Sequence, residues 1–220
     1  MDATMGMDPK VNKGTTTVGL TCADGVVMAT EKRATMGYLI SHKNTQKLFR
    51  IDQHMGMTVA GLVGDAQALA RWLTAEVNLY RTKRGQDMTV KAATTLLSNI
   101  MNNTKFAPFY VQLVIGGVDR DGAHIYSLDA AGGNIPDNYV TTGSGSPFVY
   151  GVLEDSFRDG MPTSDGVDLA IRGLNAAMSR DAGSGNGYQI CTITREKGYV
   201  QLTDEEIDRR LKKLKLPPRA

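Results

Sequence analysis

Residues 14–35 read GTTTVGLTCADGVVMATEKRAT, two apolar alternations joined by a turn at Ala23-Asp24-Gly25. Period-two alternation rich in β-branched residues predicts two paired strands, and the turn folds the second back along the first. Glu31, Lys32 and Arg33, at the far end of the second strand, are thereby led back toward the start of the first. That start is Thr15-Thr16-Thr17, directly behind Gly14. Strands favour threonine on packing grounds alone. The same triplet also carries a chemical reading. A threonine hydroxyl is a weak nucleophile without a base beside it, and the α-amino group of an N-terminal threonine is one such base. Cutting the Gly14–Thr15 bond would create that amine, which with an ordinary pKa of about 7.7–8 accepts a proton near neutrality where a lysine could not.

Outward from this hairpin, HKNTQKLF (residues 42–49) supplies a further basic candidate in Lys47, and MTVAGLVGDAQ (residues 57–67) reads as a strand running into a glycine-flanked turn and a helix. Leu69, Trp72, Leu73, Leu79 and Tyr80 mark one face of that helix, and Val90, Ala93, Leu97, Ile100 and Met101 mark the face of the next. Tyr110–Val118 and Ala123–Leu128 predict a hairpin about residues 119–122, and Tyr139–Thr142 a strand before a helix from Pro147. Val167, Ala170, Ile171, Leu174 and Met178 repeat at helical spacing, Tyr188–Thr194 and Tyr199–Leu202 form a last hairpin, and Thr203 with Glu206 predicts a capping box opening a terminal helix. Runs of strands alternating with helix pairs predict an α+β fold in which two sheets lie between two helix layers, burying both faces of each.

With 220 residues and no linker-like stretch, the chain is expected to form one domain. A formal net charge of +2, with aromatic residues not interleaved with basic ones, argues against nucleic-acid binding. Residues 1–13 are polar and Met-rich without an apolar stretch, and no segment is long enough to cross a bilayer, so neither membrane nor export is expected. Cys22 and Cys191 fall inside apparent strands, which suits buried thiols in a reducing cytoplasm. His42, His54 and His124 show no metal-ligand spacing, and neither GSGSP nor GSGNG carries the lysine of a phosphate-binding loop, so no metal or nucleotide cofactor is expected. RRLKKLKLPPRA at the end reads as a solvated helix face or a docking element for a neighbouring subunit.

GTTTVGL, ATEKRAT, HKNTQKLF, AGLVGDAQ, SLDAAGG, TGSGSPFVYGVLE and SRDAGSG, in this order, resemble the proteasome β-subunit family, its archaeal members most closely. The resemblance covers nearly the whole chain from Gly14 and implies the four-layer αββα sandwich of N-terminal-nucleophile hydrolases. It implies Thr15 as nucleophile of a threonine endopeptidase, with Lys47 as a nearby cation held by Glu31, where many relatives carry Asp. Gly61 would offer its N–H to the oxyanion. Ser144, Asp181 and Ser184 would orient the amine and hydroxyl of Thr15; turn chemistry at glycine-rich junctions is the plainer reading of these three. Thr35 would contact substrate backbone, and Ala34, Thr45, Val59 and Val63 would line a pocket for a bulky apolar side chain.

The resemblance further implies residues 1–14 as a propeptide removed by autocatalysis, residues 15–220 as the catalytic domain, and a cytoplasmic location. The partners it implies are other β subunits in heptameric rings, flanking rings of α subunits, an unfoldase ATPase acting indirectly, and unfolded polypeptides as substrates. A non-catalytic ring subunit of the same fold is the alternative; keeping Gly14, Thr15, Glu31, Lys47, Asp181 and Ser184 together argues against it. A binding module using the Gly/Ser loops for an anion is a third reading, and the lack of a basic residue beside either loop counts against it.

Overall fold

Strands β1 (Thr16–Cys22) and β2 (Gly25–Glu31) form the predicted hairpin, closed by a two-residue turn with Cys22 opposite Gly25 in a computed structural model that describes residues 14–218. Alternation sends Val18, Leu20, Cys22, Val27 and Ala29 to one face and Val26 and Met28 to the other. Both faces are buried because this hairpin lies at the centre of its sheet. β10 (Tyr139–Gly143) flanks β1, and β11 (Tyr188–Thr194) with β12 (Gly198–Gln201) extends beyond β2, all antiparallel.

The second sheet, also antiparallel, runs β5 (Leu48–Asp52), β6 (Met55–Gly61), β7 (Val111–Asp119), β8 (Gly122–Leu128) and β9 (Asn134–Asp137). Val26, Met28, Val114, Ile125, Cys191 and Ile193 fill the space between the sheets. Gly116 leaves room there, since a Cβ on it would come within 2.4 Å of Ile125 in its own sheet and 3.1 Å of Met28 Sδ from the other.

Helices α1 (Val63–Arg84) and α2 (Val90–Asn103) cover the outer face of the second sheet. Helices α3 (Ser146–Ser156), α4 (Thr163–Arg180) and α5 (Asp204–Lys213) cover the outer face of the first. The product is the expected αββα sandwich. A further two-stranded hairpin, β3 (Ala34–Met36) with β4 (Leu39–His42), projects beside β2 and was not foreseen.

The α1 face differs from the sequence reading. Ala66, Leu69, Ala70, Leu73 and Val77 are buried, whereas Trp72 and Leu79 are 46% and 45% exposed. Leu69 and Leu73 of the predicted stripe are buried as read, and Ala66, Ala70 and Val77 complete the contact face in place of Trp72 and Leu79. The α2 face is buried as read, and the Thr203–Glu206 capping box is present. The basic end of the chain is more than a solvated face: Ile207 and Leu211 of α5 are buried, and Arg210 and Lys213 both pair with Asp168 of α4. Both thiols are buried and unpaired, and burial pushes each up to about 12.

Candidate active site

Thr15 lies one residue before β1, and the β1–β10 pairing sets it against the turn into α3. Gly143 there has φ +91, and a Cβ on it would fall 2.0 Å from the Thr15 carbonyl oxygen, so only glycine lets the two strands close at this point. Thr15 is 4% exposed. Its Oγ1 donates to the Gly14 carbonyl at 2.7 Å, and its nitrogen, an amide while Gly14 is attached, donates to Ser144 Oγ at 3.2 Å. Gly14 is itself fixed, since its N–H donates to Thr35 Oγ1 at 3.0 Å and its Cα packs on Gly183 so tightly that a Cβ would come within 2.0 Å.

One flank of the site is an ion pair. Glu31, at the end of β2, is fully buried, and Lys47, just ahead of β5, is 5% exposed. The Lys47 ammonium donates to Glu31 Oε1 and to the Arg33 carbonyl. Glu31 also accepts from the amides of Arg33 at 2.6 Å, Gly185 at 3.0 Å and Thr16 at 3.3 Å. Removal from water disfavours both charges, pushing Lys47 below and Glu31 above its ordinary value, and each partner's charge offsets part of the other's shift. Four donors on one carboxylate favour its charged form and so oppose the effect of burial. The segment carrying Lys47 is tied to the first sheet by Gln189, whose side-chain oxygen accepts from the Lys47 amide at 2.9 Å.

The other flank is a cluster of hydroxyls on a carboxylate. Asp181 caps the C-terminus of α4, where the helix dipole disfavours a negative charge by about 0.3–1 kcal/mol. Local donors offset that cost: Ser144 Oγ at 2.7 Å and Ser184 Oγ at 2.6 Å reach Oδ2, and the Gly183 amide reaches Oδ1 at 3.1 Å. Arg33 joins this flank to the ion pair, its guanidinium donating to Asn186 Oδ1 at 2.8 Å and to the Ala182 carbonyl at 2.9 Å.

In front of Thr15 opens a cavity of about 380 Å³, the size of a small-ligand site, lined mainly by apolar atoms. Gly14, Thr15, Ala34, Thr35, Lys47, Val59, Gly61 and Val63 line it, so most of the expected pocket residues meet there. Thr45 is not among the lining residues; its amide donates to the Lys32 carbonyl at 2.8 Å, and the next residue, Gln46, reaches the wall. Gly61 has φ +120, and a Cβ on it would lie 2.1 Å from the Tyr110 carbonyl oxygen, so its need for glycine arises from its own backbone conformation and from the chain entering β7.

Sequence reasoning missed Met36, Ser41 and His42, which reach the cavity from the unforeseen β3–β4 hairpin, and it missed Arg33, Gln189 and Gly183 as supports. Arg33 lay within the ATEKRAT motif, which is the signal that could have found it.

A larger cleft, about 620 Å³, lies among the turns at the other end of the sheets and shares no residue with this site. Near it Asp52, His54 and Asp87 come together, but Arg81 already sets its guanidinium on both oxygens of Asp52, at 2.8 and 2.9 Å. The fold thus gives His54 a carboxylate neighbour, and Asp119 stands 3.3 Å from His124, pairings the spacing along the chain did not reveal.

Residues 11–193 match the family model described as "Proteasome subunit". The chain belongs to the proteasome subunit family. It is 52% identical to the proteasome subunit beta of Methanothermobacter thermautotrophicus over 94% of this chain and 99% of that protein. The proteasome subunit beta of Thermoplasma acidophilum is likewise 52% identical, over 96% and 99%. That of Methanospirillum hungatei is 55% identical over 89% and 93%. Membership in the proteasome family carries the threonine-protease activity of the core particle and assembly there with α and β subunits.

Proposed function

We propose that Thr15 is the nucleophile of this peptidase, uncovered by autocatalytic cleavage after Gly14, and that residues 1–14 are the propeptide; residues 1–13 lie outside the described part of the chain. The observation that carries this reading is the convergence on one buried threonine of the Glu31–Lys47 pair from one side and the Ser144–Asp181–Ser184 cluster from the other, at the mouth of an apolar cavity.

In the mature chain the freed Thr15 amine accepts the hydroxyl proton, directly or through a water, as Oγ1 attacks the scissile carbonyl. The Lys47 charge favours the ionised hydroxyl and discourages protonation of the neighbouring amine. The Gly61 N–H faces the developing oxyanion, Thr35 holds substrate backbone, and Ala34, Val59 and Val63 accept a bulky apolar side chain. In the precursor the Thr15 nitrogen is an amide and cannot serve as base, so self-cleavage is slower than turnover. It proceeds by attack of Oγ1 on the Gly14 carbonyl carbon: the C–N bond breaks as the C–O ester forms, the Thr15 nitrogen takes a proton, and water then hydrolyses the ester to release residues 1–14.

The substrates in this reading are unfolded polypeptides, the rings are heptameric, the compartment is the cytoplasm, and an unfoldase ATPase acts upstream on folded proteins. Among the described residues no helix is long and apolar enough to cross a membrane. Thr15→Ala tests the nucleophile: the assembled particle should retain its fold and lose peptide hydrolysis, and turnover near wild type would refute the assignment.

A further inference from the structure

Thr16 is fully buried, and its hydroxyl sits 2.6 Å from Ser184 Oγ. The space is reserved for it: a Cβ on Gly145 would come within 2.0 Å of Thr16 Oγ1. Hydroxyl hydrogens are single, so the direction of each bond here follows by elimination. An ionised Asp181 only accepts, and Ser184 at 2.6 Å therefore spends its one proton on Oδ2. The Thr16–Ser184 contact must then use the Thr16 proton. Ser144 likewise spends its proton on Asp181 at 2.7 Å, the Thr15 carbonyl being 3.4 Å away. What Ser144 has left is a lone pair, and the Thr15 nitrogen donates to it. The hydroxyls thus form a one-way chain from Thr16 through Ser184 to Asp181, met there by Ser144 from the side of the nucleophile.

We infer that the Thr16 hydroxyl is a positioning residue for the hydrolytic reaction: by donating to Ser184 it fixes the hydrogen bonds on Asp181, and through them the acceptor that Ser144 presents to the Thr15 nitrogen. The backbone of Thr16 is fixed on both sides of this role, its amide donating to Glu31 Oε1 at 3.3 Å and its carbonyl accepting from Thr30 Oγ1 at 3.0 Å. The residue after the nucleophile therefore links the ion pair to the carboxylate cluster. Without its proton, the Ser184 oxygen has an unfilled acceptor site and its hydroxyl is no longer confined to Asp181. Asp181 is then gripped less firmly by its donors, and the amine of the mature Thr15 is oriented less firmly.

The inference rests on Thr15 as nucleophile, and the test separates the two. Thr16→Val keeps the side-chain shape and removes the donor. In the assembled, processed particle it should lower kcat about tenfold, the scale of one hydrogen bond, with KM unchanged, and move the acid limb of the kcat–pH profile, which the Thr15 amine sets, to lower pH, because the protonated amine loses a firmly held acceptor. Thr16→Ser should restore both. Should the valine variant fail to assemble, Thr16→Cys carries the test, because a thiol is a weak donor. Its kcat should fall between those of the serine and valine forms, with the acid limb shifted in the same sense. A wild-type pH profile in the valine or cysteine variant, or a loss that serine does not recover, overturns the inference while leaving Thr15 in place. Activity in Thr15→Ala measured alongside would overturn the nucleophile assignment itself.

Discussion

Lys47→Met separates the electrostatic contribution of the buried pair from its contribution to stability. The side chains of Lys47 and Glu31 are 6% and 0% exposed, so methionine leaves a carboxylate in the interior without its counter-charge. Breaking a buried pair from one side costs about 3–5 kcal/mol. Glu31 keeps three amide donors, those of Thr16, Arg33 and Gly185, which places the cost near the lower end, about 3 kcal/mol. In a domain of this size that corresponds to a melting temperature lower by about 6–12 °C, compared at one concentration of assembled particle because assembly itself stabilises. Turnover of a peptide substrate should fall on the order of 10²-fold or more, as when a positioned electrostatic group is lost. The double variant Glu31→Gln, Lys47→Met removes both charges and should recover most of the lost melting temperature and none of the lost rate. A single variant that melts and cleaves like the wild type would show that Lys47 is an ordinary lysine. A double variant with restored turnover would show that its charge is not used.

Gly14→Ala should slow removal of residues 1–14 severalfold, since the new methyl group would sit 2.0 Å from the Gly183 Cα and must displace the backbone that presents the Gly14 carbonyl; a mass time course of assembling precursor reads this. The pH profile of the mature particle should be narrowed on its alkaline side. Lys47 is needed in its charged form and burial lowers its pKa below the ordinary 10.5, so activity is lost as pH rises through that lowered value, and a limb at or above 10.5 would contradict the assignment. Cleavage of an unfolded protein should favour bonds after hydrophobic or aromatic residues, given the lining by Ala34, Val59 and Val63. A dominant preference for cutting after Asp or Glu would overturn that pocket.

The sandwich was legible because its strands alternate cleanly and its helices repeat at helical spacing, so β1, β2, α2 and α4 follow from residue type alone. Trp72 and Leu79 misled because side-chain size was read as burial, while Ala66 and Ala70 set the actual contact face of α1. The β3–β4 hairpin left no alternation to read: all four residues of β4 are exposed. Within the site, residue type and motif suggested Thr15, Lys47 and Asp181. What brings them to one site is long-range and silent in any local window. Lys47 is received in the interior by Glu31, sixteen positions earlier, and by the Arg33 carbonyl. Gly14 is confined by Gly183, and Thr45 was misplaced by a single position relative to Gln46. The Thr16 hydroxyl was hidden by its own plausibility, since a threonine at the head of a strand needs no further reason.

The central claim is that the working nucleophile carries a free amine, and N-terminal sequencing of the assembled, active particle tests it most directly. The sequence should begin Thr-Thr-Thr-Val-Gly, with residues 1–14 released. An intact Met1 start in a particle that nevertheless hydrolyses peptides would contradict the account.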